Sequence, residues 1–387
     1  MTAGAPGDFR LLAVTGARAD WGLLRWPLLA LAGEPGFTVE VAVTGMHLAP
    51  LFGSTVAEVE AAGLPVVERV ETLLAGDSGV AMAKAVALGI LGFADALARR
   101  RPDGLLLLGD RFEVFAAAQA AFLQRIPIIH LCGGDLTDGA LDDAMRHAIS
   151  HMAALHLPST AVAARRLSRL GADPARIVVV GSPGLDILTR GRLPDRAAVE
   201  QALGFSLRRR NLLVTFHPAT REGEPLAQLA CLLEALDALG PEVGLIITQP
   251  NADAGGRAIA EALARFAEER EHAILRASLG QTLYLGVMAQ VDAVVGNSSS
   301  GLYEAPSLAK PTVNIGSRQD GRLKAASVID CPAEAPAIVA AIGRALALDC
   351  SGVENPYGDG HASERIVAAL RRFREPGALA PLPFHDG

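Results

Sequence analysis

The stretch Gly104-Leu-Leu-Leu-Leu-Gly-Asp-Arg-Phe-Glu113 decides the fold, because four consecutive leucines run into a glycine and then into charged residues. A short apolar run of this kind is typical of a strand buried on both faces of a parallel sheet. A helical pattern follows over residues 111–124. Since ligands of open α/β sheets bind beyond the carboxyl ends of the strands, the residues after each strand are the first candidates for function.

The same alternation of apolar runs and helical patterns extends in both directions and predicts doubly wound parallel sheets. In the first half, helices are predicted at 81–100 and 111–124, and strands at 11–15, 39–44, 65–70, 104–108, 126–131 and 177–180. In the second half, helices are predicted at 226–239, 257–269 and 334–348, and strands at 212–215, 244–248, 273–275, 293–295 and 312–315.

A break at 181–184, continued by the polar stretch 189–196, separates the two series. A chain of 387 residues is also long for a single core. We therefore predict two Rossmann-like domains, residues 1–182 and 183–362, that face each other across a central cleft. The last helical pattern, within 363–380, is predicted to pack back on the first domain.

Composition excludes several classes of function. The formal net charge of -7 disfavours a nucleic-acid or anionic-membrane binder. Lysine is almost absent and no GxxxxGK[ST] string occurs, which disfavours a P-loop or a Schiff-base lysine. The four cysteines are far apart, so neither a metal site nor a disulfide framework is expected. With no signal-peptide pattern and no long apolar run, we expect a cytoplasmic protein without a membrane span.

Several candidate residues follow predicted strands of the first half. Arg18 lies at a strand-to-helix turn, where a guanidinium and free backbone N–H groups could meet a phosphate, and His47 follows the next strand. Each also has a simple alternative as an ordinary loop residue. Asp110 with Arg111 beside it suggests a general acid or base, although Asp110 could also be the N-cap of the next helix.

The densest run of titratable groups begins at His130 and includes Asp135, Asp142 and Arg146. Paired carboxylates can remove a proton on one face and deliver one on another when their environments separate their pKa values. Contacts along one solvated helix face are the alternative explanation for the later members of this run.

The second half carries a different set of candidates. His217 precedes a proline, which holds it in an extended conformation, and Asn251 lies in a polar loop. The stretch Val295-Gly-Asn-Ser-Ser-Ser-Gly-Leu-Tyr-Glu304 predicts an anion cradle at a helix start. Its candidate ligands are the hydroxyls and N–H groups of Ser298, Ser299, Ser300 and Gly301, with Glu304 for a ribose and Arg318 for a phosphate.

With these motifs in hand, the sequence resembles the hydrolysing UDP-N-acetylglucosamine 2-epimerases of sialic and legionaminic acid biosynthesis. The matching stretches, in family order from about residue 13 to about 325, include TGARADWGLL, TGMHL, LGDRFE, DGALDDAMRH, TFHPAT and GNSSSGLYEAPSLAKPTVNIGSRQDGR. ARAD and GDR match the hydrolysing branch, whereas non-hydrolysing relatives typically have TRPE and GDT. The resemblance implies a GT-B fold, a UDP-sugar substrate, no metal or other cofactor, and a homodimer or homotetramer.

The resemblance also assigns roles to residues. It implies Asp110 and Asp142 as catalytic carboxylates, His217 at the active centre, Ser298, Ser299 and Glu304 as UDP ligands, and Arg18, His47, Arg111 and Arg318 along the cleft. One departure is clear: the family usually has EGGE or HGGE where this chain has Cys132-Gly-Gly-Asp135. Either Asp135 takes over the role of the glutamate, or the substrate or the catalytic efficiency differs.

The implied reaction is removal of the C2 proton, elimination of UDP to a 2-acetamidoglucal, and hydration with inversion at C2, giving N-acetylmannosamine from UDP-N-acetylglucosamine. Three alternatives remain open. They are the same chemistry on a UDP-2,4-diacetamido-2,4,6-trideoxyhexose, a GT-B glycosyltransferase, and a nucleotide-sugar-binding protein without turnover.

Overall fold

The computed structural model describes residues 7–50, 55–74, 78–136, 141–218, 225–250, 256–375, 377–380 and 385. The chain divides into two compact units. Unit 1 comprises Met1–Asp186 and Gly358–Gly387, and unit 2 comprises Ile187–Tyr357. The chain therefore leaves unit 1 once and returns to it for the last helix.

Within the described residues, unit 1 has one parallel sheet of six strands in the order β3-β2-β1-β4-β5-β6. The strands are β1 (Phe9–Thr15), β2 (Phe37–Thr44), β3 (Val66–Val70), β4 (Gly104–Leu108), β5 (Ile128–Leu131) and β6 (Leu155–Leu157). The helices are α1 (Arg18–Ala32), α2 (Val56–Ala61), α3 (Gly79–Arg100), α4 (Phe112–Leu123), α5 (Leu141–Met152), α6 (Ala161–Arg169) and, after unit 2, α14 (Ala362–Phe373).

The leucine run of β4 explains how this sheet is covered. Leu106 and Leu108 pack in one hydrophobic core, while Leu105 and Leu107 pack in a second core that includes α3 and α4 residues. Successive side chains of a strand point to opposite faces, so a continuous apolar run fits a sheet with helices on both sides. The returning helix α14 packs against α1 and contributes Ile366 and Leu370 to the first core.

Within its described part, unit 2 repeats this plan with the strand order β12-β11-β10-β7-β8-β9. Its strands are β7 (Arg210–Thr215), β8 (Val243–Thr248), β9 (Ala273–Arg276), β10 (Ala293–Gly296), β11 (Thr312–Ile315) and β12 (Val328–Cys331). Its helices are α8 (Arg196–Leu203), α9 (Pro225–Asp237), α10 (Gly256–Glu268), α11 (Gly280–Gln290), α12 (Ser300–Tyr303) and α13 (Ala335–Ala347), and α7 (Asp186–Arg190) joins the units.

Two of the described strands, β6 and β12, were not predicted, and one predicted strand is absent. The strand predicted at 177–180 is wrong: Ile177 makes only an isolated bridge to His156, and the sixth strand of unit 1 is the three-residue β6. Strand β12 was not predicted, because Val328–Cys331 includes a polar residue and is only partly buried at the sheet edge.

One helix within the described ranges, α3, is long and apolar enough to cross a membrane by length and composition alone. Core helices of soluble proteins meet the same criteria. Here Phe93, Ala96 and Leu97 of α3 are buried in the second core of unit 1, where the helix packs on α4.

Candidate functional site

Several candidate residues follow the strands at which the strand order of each sheet reverses. In unit 1 the order reverses between β1 and β4, and in unit 2 between β7 and β10. The loops that leave these strands form the crevice where open α/β sheets bind ligands. Asp110 and Arg111 follow β4, whereas His217 follows β7 and the serine stretch follows β10.

Asp110 is held by Arg146, which lies on α5. The Nη2 atom of Arg146 donates to Oδ2 of Asp110, and its Nη1 atom donates to the backbone oxygen of Asp135 at 2.8 Å and to Oδ1 of Asp143 at 3.3 Å. Asp110 does not serve as the N-cap, since Arg111 occupies the cap position of α4 and makes no side-chain cap bond. The structure thus brings together three of the predicted residues, Asp110, Asp135 and Arg146.

His130 fixes the backbone immediately before Asp110. Its Nε2 atom is 2.8 Å from the carbonyl oxygen of Gly109, and its Nδ1 atom is 3.0 Å from Oγ of Ser150 on α5. Burial lowers the pKa of His130 to about 3, so the ring is neutral at pH 7. Gly109 has a φ of 69°, which only glycine adopts without strain.

Asp142 begins the same helix that carries Arg146. Desolvation, followed by the negative charge of Asp110, raises the pKa of Asp142 above its usual range. His147, one helical turn later, has its Nε2 atom 3.4 Å from Oδ2 of Asp143. The cluster therefore contains Asp110, ion-paired with Arg146, near Asp142, a carboxyl group whose pKa is raised.

The segment that departs from the family pattern lies next to this cluster. Oγ of Ser159 donates to Oδ2 of Asp135 at 3.2 Å. Cys132 has a φ of 61°, in the left-handed region, and burial raises the pKa of its thiol. The thiol is therefore protonated at neutral pH. Within residues 132–135, the carboxylate is supplied by Asp135.

Arg111 belongs to a buried acid–base network that the sequence did not indicate. It donates to both carboxylate oxygens of Glu113, at 3.0 and 3.3 Å, and lies 4.0 Å from Asp20. Glu113 is fully buried, and burial raises the pKa of Asp20 to about 6. The pattern gave no signal for this network because Asp20 and Glu113 occupy ordinary helix positions.

Arg18 and His47 have different surroundings from those of Asp110. Nε of Arg18 lies 3.0 Å from Glu58 of α2, and the side chain is exposed. His47 is fully buried, with Nε2 at 2.9 Å from Oγ1 of Thr15 and Nδ1 at 2.8 Å from Oγ1 of Thr55. Burial lowers its pKa to about 4. Both ring nitrogens of His47 are thus engaged by protein hydroxyl groups.

In unit 2, two hydrogen bonds between His217 and Asn297 join the ends of β7 and β10. The backbone N–H of His217 donates to Oδ1 of Asn297 at 2.7 Å, and Nδ2 of Asn297 donates to the carbonyl oxygen of His217 at 2.9 Å. The approach is close enough to require glycine at 296, where a Cβ would lie 1.9 Å from the carbonyl oxygen of Thr215. Asn297 was not among the predicted site residues.

The serine stretch forms a hydroxyl chain. Oγ of Ser300 donates to Oγ of Ser298 at 3.0 Å and lies 2.6 Å from the hydroxyl of Tyr284 on α11, which the sequence did not indicate. Gly301 packs directly on Thr312, where a Cβ would meet Cγ2 at 2.5 Å. Because α12 has only four residues, few peptide dipoles align, and the predicted contribution of a helix dipole is small.

Glu304 and Arg318 complete this group. Burial raises the pKa of Glu304 to about 8, and its Oε2 atom is buried with no hydrogen-bond partner within the described part of the chain. Nη1 of Arg318 donates to the carbonyl oxygen of Asn297 at 3.0 Å, beside Gln319, which donates to the same oxygen at 2.7 Å. Asn251 lies outside the described residues. Among the described residues, no cluster of three or more metal-binding side chains occurs.

The chain is similar in sequence and in fold to known proteins. Residues 29–371 match the family described as UDP-N-acetylglucosamine 2-epimerase. The GDP/UDP-N,N'-diacetylbacillosamine 2-epimerase (hydrolyzing) of Campylobacter jejuni is 36% identical over 83% of this chain and 84% of its own length. The UDP-N,N'-diacetylbacillosamine 2-epimerase (hydrolyzing) of Legionella pneumophila is 35% identical over 94% and 95%. The polysialic acid biosynthesis protein P7 of Escherichia coli is 35% identical over 94% of each chain.

Solved structures show the same fold. The UDP-GlcNAc 2-epimerase of Neisseria meningitidis bound to UDP-GlcNAc has a TM-score of 0.76 and 21% identity, covering 94% of this chain and all of that one.

Proposed function

The chain belongs to the UDP-N-acetylglucosamine 2-epimerase family, and from that premise we propose that it is a hydrolysing UDP-sugar 2-epimerase. Its proposed substrate is a UDP-linked 2,4-diacetamido-2,4,6-trideoxyhexose, which it converts to UDP and the free 2-epimer. The observation that carries this choice is the 36% and 35% identity to two hydrolysing enzymes named for N,N'-diacetylbacillosamine.

The proposed reaction consumes one water molecule. A base removes the C2 proton, the C2–H electron pair forms a C1–C2 double bond, and the C1–O bond to UDP breaks. Water then adds its hydroxyl group to C1, while a proton enters C2 from the opposite face. The products are UDP and the 2-epimeric free sugar, so no redox cofactor is needed to balance the reaction.

The surroundings of the carboxylates suggest their roles. Asp110 is hydrogen-bonded and ion-paired with Arg146, which fixes the position of this carboxylate and suits it to accept the C2 proton. Asp142 has a raised pKa, which suits it to hold and deliver a proton. Asp135, oriented by Ser159, is the proposed replacement for the usual glutamate. His217 is proposed to contact the reacting sugar.

In unit 2, the hydroxyl and N–H groups of the serine stretch, together with Arg318, are proposed to bind the diphosphate. Donors placed where negative charge develops on departing UDP lower the barrier to elimination. Glu304 is proposed to accept hydrogen bonds from the ribose hydroxyls, which would satisfy its unpartnered oxygen. Arg18, Arg111 and Asn251 remain proposed substrate contacts.

A second candidate substrate is UDP-N-acetylglucosamine itself, which the family description names. The two substrates differ at C4 and C6, not at the reacting C1 and C2. The same carboxylates would therefore serve both, and only a direct comparison of turnover separates them.

The test is proton NMR in D2O with each UDP-sugar, together with measurement of released UDP. Deuterium at C2 of a free 2-epimer is expected, with the higher kcat/KM for the diacetamido substrate. A higher kcat/KM for UDP-N-acetylglucosamine would select the second candidate. UDP release only in the presence of a sugar acceptor would instead identify a glycosyltransferase, and binding of UDP without turnover would identify a binding protein.

Asp110→Asn is expected to lower kcat about 10²- to 10⁴-fold, the usual contribution of a general base, with UDP affinity nearly unchanged. Asp95→Asn is the matched control, because Asp95 is exposed on α3 in the same unit. Lost UDP affinity with retained turnover in Asp110→Asn would contradict the assigned role.

A further inference from the structure

Unit 1 contains a cavity of about 740 Å³ that the proposed reaction does not use. Its walls include residues 125–127 before β5 and 152–154 before β6, with side chains from the ends of α4 and α6. These are the amino ends of the strands, whereas the catalytic candidates follow the carboxyl ends. A strand of four residues separates the two edges by roughly 13 Å.

The cavity is of a size that binds small molecules, and most of its walls are apolar. Phe122 and Leu123 stand at its border and are unusually exposed for large apolar residues, at 55% and 76%. Leu167 and Leu170 of the α6 segment form another part of the wall. Such walls favour a ligand with a hydrocarbon or aromatic body.

The polar part of the wall carries positive charge. Arg176 is 9% exposed, donates one hydrogen bond to the carbonyl oxygen of Ala154 at 3.2 Å, and forms no ion pair within the described ranges. Asp173, an acid of the same wall, attracts Arg176 electrostatically without forming an ion pair with it, and its Oδ1 atom accepts the N–H of Ala175. His156 is 4% exposed, and its Nδ1 atom has no hydrogen-bond partner among the described residues.

A buried guanidinium without a carboxylate partner is costly, and an anion beside it removes that cost. We propose that this cavity is a second, non-catalytic binding site for a small amphipathic anion, whose acidic group pairs with Arg176 and whose apolar body fills the space between α4 and α6. The unpartnered ring of His156 offers a further polar contact at the same wall.

A chain of contacts also connects the cavity to the loop that carries Asp110. Ser150 lines the cavity and lies 3.0 Å from Nδ1 of His130, whose Nε2 atom is 2.8 Å from the carbonyl oxygen of Gly109. Gly109 precedes Asp110 directly. Because both ring nitrogens of His130 are already satisfied, a ligand that displaces Ser150 can only loosen this chain of contacts. A ligand that displaces Ser150 is therefore expected to lower turnover, a step that rests on the proposed catalytic role of Asp110.

Binding is tested by calorimetry of the full chain with decanoate and with its neutral analogue decanamide. Decanoate is expected to bind once per chain and about tenfold or more tighter than decanamide, as charge-assisted pairing predicts. Arg176→Gln should remove this preference for the anion. Arg165→Gln, an exposed arginine of α6 that does not line the cavity, should leave it unchanged.

A second variant covers the case in which Arg176→Gln does not fold. Ala172→Phe adds a ring to the cavity wall and keeps Arg176, so it should abolish binding of both probes while circular dichroism remains native. Absence of decanoate binding to the wild-type chain, or equal binding by wild type and Ala172→Phe, would overturn the proposal.

The connection is tested by turnover at saturating decanoate. Wild-type kcat should fall at least about threefold when decanoate is added. Ser150→Ala should still bind decanoate, but its own kcat should not fall when decanoate is added. Unchanged wild-type turnover with decanoate bound would overturn the connection but not the site. Decanoate binding by a chain that turns over neither UDP-sugar would instead overturn the proposed function and leave the site standing.

Discussion

If Glu304 contacts the ribose as proposed, we expect it to couple UDP binding to proton release. Its pKa of about 8 means that most molecules carry a proton on this carboxyl group at pH 7. Accepting hydrogen bonds from both ribose hydroxyls favours the ionised carboxylate, so binding is expected to release the proton. Below pH 8, affinity for UDP is therefore expected to rise with pH, by up to about tenfold per unit.

Calorimetry of UDP binding in buffers of different ionisation enthalpy measures this release. Close to one proton per UDP is expected at pH 7 for the wild-type chain and none for Glu304→Gln, which should also bind UDP more weakly. Glu354→Gln, an exposed glutamate of the same unit, is the control. Proton release that persists in Glu304→Gln would show that another group titrates.

At the residue scale, the sequence indicated which groups follow the strands but not which of them pair. Asp110 and Arg146 are joined because α5 packs against α4 and β5, a relation that no local spacing contains. Tyr284 reaches the serine stretch from the middle of α11, and nothing in the pattern of that helix marks it. Contacts between elements distant in sequence depend on packing, which periodicity does not encode.

At the scale of elements, Asp186 fastens α14 to the end of unit 1. It is fully buried and accepts the backbone N–H groups of Ala362 and Ser363 at 2.9 and 2.7 Å, together with the hydroxyl of Ser363. Asp186→Ala removes a cap and leaves these buried donors unpaired. We expect a loss of about 2–4 kcal/mol in the free energy of unfolding of unit 1.

Tryptophan fluorescence during urea unfolding measures this loss selectively. Both tryptophans of the chain, Trp21 and Trp26, lie on α1 in unit 1, against which α14 packs. Asp195→Ala is the control, since Asp195 caps α8 in unit 2 and its removal should not shift the tryptophan transition. Equal shifts in the two variants would mean that the probe does not report unit 1 alone.

The predicted elements were most accurate where apolar runs are long. Strand β4 and strand β11 have the predicted limits, and most helices differ by one or two residues. The prediction failed for β6, because Leu155–Leu157 is short and contains a histidine, whereas Ile177–Val180 has the stronger strand composition. Edge strands need fewer apolar residues than central ones, so composition identifies them poorly.

At the scale of the whole molecule, the regular alternation of strands and helices was sufficient to predict two doubly wound sheets. Both sheets have equivalent strand orders, so each unit presents its loops at a switch point. Their chemistry differs, because unit 1 places carboxylates and arginines there and unit 2 places hydroxyl and amide groups. That difference supports the proposal that unit 1 carries out proton transfer and unit 2 binds the nucleotide.

The stability of unit 1 is expected to depend on buried neutral histidines. His130 and His156 are paired positions on β5 and β6, and burial lowers their pKa values to about 3 and about 4. Unfolding exposes rings that take up protons below about pH 6.5, so the unfolded state gains stability as pH falls. Each histidine is expected to remove about 2 kcal/mol of folding stability by pH 5.

Asp20 has the opposite effect on stability and favours the folded unit as pH falls, because its pKa of about 6 in that unit exceeds that of an unfolded aspartate. A clearer test therefore compares wild type with His156→Asn. The free energy of unfolding of each is measured by tryptophan fluorescence in urea at pH 7 and at pH 5. From pH 7 to pH 5, the free energy of unfolding should fall by about 2 kcal/mol less in the variant than in wild type. His361→Asn, an exposed histidine of the same unit, should behave as wild type. An unchanged pH dependence in His156→Asn would mean that His156 takes up its proton equally in the folded and unfolded states, so that its pKa in the folded unit is not lowered.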